Sequence, residues 1–169
     1  MSQVSTPSEN RSMSPWPTFV VTAVAAYIST LDLSIVNVAF AEIAADFPDV
    51  SRGTISWVVT AYSILFGSLL VVFGRLADRV GRKKLFQIGS LLFLAGSVLC
   101  AIAPTMGMLI AGRAVQGVGG AIMTPASLGL LLSVFSLERR SQAVAWNGAV
   151  GALGVASGPT LGALFVDTF

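Results

Sequence analysis

The chain contains no histidine and a single cysteine, Cys100. Without histidine the side chain that ordinarily moves protons near neutral pH is missing, so any proton chemistry falls to carboxylates. One cysteine allows no disulfide within the chain and no cysteine-based metal framework, and Cys100 reads as packing inside an apolar stretch. Charge is scarce as well. Asp, Glu, Lys and Arg make up 11% of the 169 residues and hydrophobic types 54%, whereas a soluble domain is roughly 25% charged. So few charges do not cover a surface against water, and the solvent for most of this chain is lipid. No nucleophile with its base, metal-ligand cluster or phosphate-binding loop is apparent. An enzyme, a metal or organic cofactor, and a nucleic-acid partner are therefore not expected.

What is present is long apolar runs. Five are long enough to cross a hydrocarbon core about 30 Å thick, which takes roughly 20 residues of helix. They are approximately Trp16 to Phe40, Ile55 to Phe73, Leu85 to Ile102, Met106 to Phe135 and Ala143 to Val166. The runs lack the dyad alternation of a barrel strand, and an open strand edge in lipid would leave its amides unsatisfied, so the class is all-α integral membrane. Ala39-Phe40-Ala41 has the small-x-small form of a signal-peptide cleavage site, but the first run is far longer than a signal's apolar core of about 7 to 15 residues. Residues 1–15, rich in Ser and Pro, have nothing to bury and are expected to form a disordered cytoplasmic tail, with residues 16–169 forming transmembrane helices one to five.

Charge gives the expected orientation. Of the ten basic residues, Arg11, Arg75, Arg79, Arg82, Lys83, Lys84, Arg139 and Arg140 fall on one side, while Arg52 alone falls on the other, beside Glu42, Asp46 and Asp49. The positive-inside rule puts the N-terminus in the cytoplasm. Five spans then carry Phe169 to the outer side with no closing partner, and the chain is expected to be a fragment.

Two ionisable residues lie within spans, Asp32 and Arg113, each at an insertion cost of about 2.5 to 3.5 kcal/mol. Counting helical rise, Asp32 sits about 12 Å and Arg113 about 10 Å below the same outer boundary. If the first and fourth spans adjoin, the two can pair. One reading is a structural ion pair that fixes packing. The other is a proton or cation site, because burial favours the neutral form of a carboxyl and a nearby guanidinium favours the charged form. Asn37, Ser29, Thr30 and Ser34 make the first span less oily, which suits a helix facing an aqueous cavity, although hydroxyls also bond back to their own helix. On the fourth span Arg113, Gln116, Gly117 and Gly120 form one stripe at i, i+3, i+4 and i+7, followed by Thr124-Pro125, where a bend is expected. The fifth span carries Gly148, Gly151, Gly154, Gly158-Pro159 and Gly162, a smooth face for a partner helix. In the loop from Gly74 to Lys84, Gly74 and Gly81 are expected to serve a tight reversal and Asp78 to cap a helix or pair with an arginine.

Four of these segments together resemble the major facilitator superfamily, and in particular its fourteen-span drug:proton antiporter branch. They are Leu31 to Ala39 (LDLSIVNVA), the basic loop Gly74 to Leu85, Arg113 to Ala121 (RAVQGVGGA) and Gly154 to Gly162 with its Gly158-Pro159. Ala41 stands where the branch has proline, and Ala163 replaces the last glycine of the fifth-helix motif. The resemblance implies the first five helices of that fold, built from inverted three-helix repeats with a site near mid-membrane. It implies coupling of proton and substrate through Asp32 and Arg113, with Asn37 and Gln116 beside them. It further implies a cytoplasmic gate at Gly74, Asp78, Arg79, Gly81 and Arg82, and a seal against the absent second half by Gly154, Gly158, Pro159 and Gly162. The function implied is proton-coupled export of small amphipathic or cationic compounds across the plasma membrane, with the proton gradient as energy source. The partners implied are the bilayer, a small-molecule substrate and the missing C-terminal helices. The competing expectations are a non-transporting membrane remnant or interaction protein, and a metabolite carrier of the same fold.

Overall fold

The computed structural model describes residues 14–168, and the tail expected over residues 1–15 lies outside them save for its last two positions. The described residues form five helices: α1 (Trp16–Asp46), α2 (Arg52–Val80), α3 (Arg82–Ala101), α4 (Met106–Val134) and α5 (Leu137–Thr168). By length and apolarity α1 to α4 each qualify to cross a membrane. The described part of α5 does not reach the same apolarity, because its many glycines, Asn147, Ser157 and Thr160 dilute it, though at 32 residues it is the longest helix.

Each expected span falls on one helix, the third and fourth overrunning its end by one residue, Ile102 and Phe135, and the helices begin where local chemistry satisfies their first amides. Ser51 accepts from the Thr54 amide at 3.2 Å, and Thr105 accepts from the Met108 amide at 3.3 Å, so both are side-chain caps. At the start of α5 the Arg139 and Arg140 amides donate to the Ser136 carbonyl. The basic segment departs from expectation. It is not a loop: α2 runs on through Arg75, Asp78 and Arg79 to Val80, and Gly81 alone separates it from α3. Nothing between Gly74 and Val80 breaks a helix, and Gly81 makes the whole reversal at φ 109°, a conformation that side chains disfavour. Gly74 instead lies within α2 against Pro125.

Contact is densest between α3 and α4, α1 and α5, and α2 and α4, whereas α1 meets α4 sparsely. Glycines make the dense seams. A Cβ on Gly119 would stand 2.5 Å from the Phe93 amide nitrogen, one on Gly96 2.7 Å from that of Gln116, and one on Gly117 2.7 Å from the Tyr62 carbonyl oxygen. In lipid, where apolar burial drives little helix association, such backbone proximity is the main source of adhesion. Large apolar side chains such as Val71, Leu91 and Leu94 point outward, as lipid contact requires.

The ends of the bundle are chemically distinct. The Trp16 and Phe135 rings lie 6.4 Å apart and Arg82 bonds the Gly129 carbonyl, so the start of α1, the α2–α3 turn and the α4–α5 link share one end. That end carries Arg75, Arg79, Arg82, Lys83, Lys84, Arg139 and Arg140. At the other end Ile55, Val58 and Met106 form a buried cluster with Phe40 and Leu109, near Glu42, Asp46 and Asp49.

Replacing Gly119 with alanine is expected to lower stability by about 1 to 3 kcal/mol, since backbone on the facing helix blocks the new methyl. Gly67→Ala, where nothing lies within 4 Å, is expected to be neutral or stabilising. Chemical unfolding of both variants in detergent checks the contrast.

Candidate functional site

At the centre of the bundle, four helices contribute to one polar network. Arg113 on α4 donates from Nη1 to Asp32 Oδ2 on α1 at 2.6 Å and to Gln116 Oε1 at 2.8 Å. Gln116 in turn donates from Nε2 to Asp32 Oδ1 at 3.1 Å and to Ser97 Oγ on α3 at 2.8 Å. The carboxylate is thus held on both oxygens by two side chains one helical turn apart. On α2, the Val58 carbonyl accepts from Arg113 Nε at 3.2 Å, and the Tyr62 ring lies under the guanidinium, 4.5 Å from its carbon. Cys100 Sγ completes the ring of contacts, donating to Gln116 Oε1 at 3.5 Å.

The local sequence explains why these groups meet. Gly117 and Gly120, on the stripe of Arg113, admit respectively the Tyr62 backbone and the Tyr62 hydroxyl with the Phe66 ring, while Gly112 and Gly96 bring α3 close enough for Ser97 to reach Gln116. A buried charge is tolerated only when paired and hydrogen-bonded; Arg113 meets that condition through Nε and Nη1 on three helices, while its Nη2 is buried without a partner among the described residues. Exposure divides the pair unequally: the Arg113 side chain is 2% exposed and that of Asp32 19%. The carboxylate is therefore the more accessible member of the pair, and the guanidinium is the enclosed one.

The other expected site residues lie elsewhere. Asn37 is exposed, five residues beyond Asp32 on α1, and its amide donates to the Leu33 carbonyl of its own helix at 2.8 Å. Ser29 also bonds back, to Ala25. Thr30 and Ser34 donate across to the Gly151 and Val155 carbonyls of α5, so these hydroxyls bind helix to helix. The fifth-helix glycines form the other side of that seam: Gly154 packs on Thr30 and Tyr27, Gly158 on Ser34, and Gly162 on Val38. The resemblance assigned this face to a seal against a second half; in this structure α1 packs on it, and Pro159 is exposed beside it. At the basic end Arg82 holds Asp78 Oδ1 through Nε and Nη2 at 3.0 and 2.9 Å and sends Nη1 to the Gly129 carbonyl at 2.7 Å. Arg79 is exposed there, and Gly74 and Gly81 have the packing and turning places described above.

Sequence reasoning overlooked Tyr62, Ser97, the Val58 carbonyl and Gly129. A tyrosine in mid-span was a usable signal, because its hydroxyl needs a partner that lipid does not supply. The carbonyls carried none.

A helical bundle with an Asp–Arg pair across its first and fourth helices and a basic turn between its second and third is a specific combination. The family profile described as Major Facilitator Superfamily matches residues 22–169. The chain belongs to the major facilitator superfamily. Among curated members it is similar to a riboflavin transporter of Clostridioides difficile, 35% identical over 91% of this chain and 34% of the relative. It is also similar to the methylenomycin A resistance protein of Streptomyces coelicolor, 40% identical over 84% of this chain and 30% of the relative. Multidrug resistance protein 3 of Bacillus subtilis is 36% identical over 83% and 27%. The chain spans about a third of the length of these superfamily relatives.

Breaking the central pair from one side, as in Arg113→Gln, is expected to cost about 3 to 5 kcal/mol, because a charge is left without its partner. The double variant Asp32→Asn with Arg113→Gln is expected to cost less than the sum of the single changes, with a coupling of about 1 to 3 kcal/mol. A double-mutant cycle from unfolding in detergent measures it. At the basic end Asp78→Asn is expected to cost under about 1 kcal/mol, since that pair is exposed. Arg82→Ala, which also frees the Gly129 carbonyl, is expected to lower the melting temperature further.

Proposed function

We propose that this chain forms the N-terminal part of a secondary active transporter that exports small amphipathic or cationic compounds in exchange for protons. In this reading the basic end and the N-terminus face the cytoplasm, the helices span the plasma membrane, and further helices complete the transport path. The proton gradient supplies the energy and no cofactor is needed. The observation that carries the reading is the unequal pair at the centre: a guanidinium sealed in the bundle opposite a carboxylate that remains reachable. Protonation of Asp32 removes the negative charge that Arg113 and Gln116 hold, and a cationic substrate competes for that same charge. Proton and substrate therefore favour different charge states of one site, which is the linkage antiport requires. The names of the resistance-protein relatives support the export direction.

A second reading is favoured by a single observation, the likeness to a riboflavin transporter: a carrier of a neutral or polar metabolite using the same pair for coupling. Whole-cell transport by the full-length protein separates the two when cationic dyes and riboflavin are compared as substrates. For the exporter, Asp32→Asn is expected to reduce proton-driven dye efflux at least about tenfold, in line with loss of a group essential to coupling. Undiminished, uncoupler-sensitive efflux by that variant would remove Asp32 from the mechanism.

A further inference from the structure

Proline inside a helix removes one backbone bond, because its nitrogen carries no hydrogen for the carbonyl four residues earlier. In α5 that proline is Pro159, and the carbonyl belongs to Val155. Water satisfies such a carbonyl at a protein surface, but within a membrane a neighbouring helix, a side chain or an ordered water must do so. Here α1 supplies the partner: Ser34 Oγ donates to the Val155 carbonyl at 2.9 Å. Ser34 is unlike the other hydroxyls of its helix. Thr22 and Ser29 donate back to the Phe19 and Ala25 carbonyls of α1, and Thr30 divides its hydroxyl between Ala26 and Tyr27 of α1 and Gly151 of α5. Among the described residues Ser34 has the Val155 carbonyl as its one acceptor. The residue before the proline completes the arrangement. Gly158 is buried, and a Cβ there would collide with Cβ and Oγ of Ser34. Pro159 frees a carbonyl, Gly158 leaves the space through which a hydroxyl reaches it, and Ser34 supplies the hydroxyl.

We infer that Ser34 is a positioning residue for transport, a latch that ties the break in α5 to the helix bearing Asp32. This deepens the transporter reading and rests on it. Ser34 lies two positions beyond Asp32 on α1, so a displacement of α1 that accompanies a change at the carboxylate is delivered to the α5 break. The hydroxyl has a second acceptor within reach of a rotamer change, the Thr30 carbonyl four residues back, which is the kind of bond Ser29 makes to Ala25. The latch therefore has two settings. With the hydroxyl on Val155, α1 holds the two parts of α5 at one angle; with the hydroxyl on Thr30, the Val155 carbonyl is open and the part of α5 after Pro159 is less constrained. Such a two-position element is what carries coupling from one site to another.

The test uses the full-length protein and the change that makes the latch redundant: Pro159→Ala returns an N–H to α5 and with it a helical donor for Val155. In the unmodified background Ser34→Ala is expected to speed amide hydrogen exchange after position 159 of α5 about tenfold, the effect of one lost buried hydrogen bond, and to leave α4 within about twofold. In the Pro159→Ala background the same Ser34→Ala change is expected to alter that exchange by less than about twofold. In cells, Ser34→Ala is expected to lower the maximal rate of uncoupler-sensitive ethidium efflux about tenfold and to leave the half-saturating concentration within about twofold, because Ser34 sets a helix angle and not the affinity for the dye. Equal acceleration of exchange in both backgrounds, or acceleration in neither, overturns the latch. Exchange that follows the expected pattern while the maximal efflux rate is unchanged overturns its role in transport. Absence of ethidium efflux by the unmodified protein overturns the transporter reading and the positioning role with it, and the exchange comparison still decides whether Ser34 replaces the donor that Pro159 lacks.

Discussion

The rest of the molecule depends on one charge that lipid does not tolerate. Arg113 sits two turns into α4, within the span, where an unpaired guanidinium would disfavour insertion by several kcal/mol. Its neutralisation requires Asp32 on α1, its Nε requires the Val58 carbonyl of α2, and the carboxylate's second oxygen requires Gln116. Gln116 in turn engages Ser97 on α3. Each requirement specifies where another helix must lie, so a single arginine sets the rotation and depth of three neighbours around α4.

Glycine makes those requirements reachable. Side-chain hydrogen bonds of about 3 Å between helices demand backbones closer than leucine-faced helices allow, and the seams at Gly96, Gly112, Gly117 and Gly119 supply that proximity. The same device recurs between α5 and α1, where Thr30 and Ser34 donate to carbonyls that glycine-lined backbone brings near. Hydroxyls and glycines are complementary halves of one solution: the first provides donors, and the second lets them arrive.

Much of this was legible from the sequence because it is written in local terms. Apolar length marked the spans, helical periodicity put Arg113, Gln116, Gly117 and Gly120 on one stripe, and counting residues from the ends gave Asp32 and Arg113 a common depth. What escaped detection depends on the register between helices, which no single segment encodes. Val58 contributes a carbonyl that every residue possesses. Ser97 looks like any small residue of a span until Gln116 is opposite it. The basic segment misled for another reason: glycine and charge were read as a loop, although only Gly81 adopts a conformation that ends a helix. The α5 glycines signalled a partner helix correctly, yet only the packed structure identifies that partner as α1.

The distribution of packing around the central pair has a mechanical consequence. Shape holds α1 to α5, and shape holds α2 and α3 to α4, but α1 and α4 meet along a sparse contact. The bundle is therefore two tightly bonded pieces with a loosely fitted joint, and Asp32 and Arg113 stand on opposite sides of it. Where steric fit contributes least, the bonds from Arg113 and Gln116 to the Asp32 carboxylate supply the specific contacts, so two polar side chains fix how one piece sits on the other.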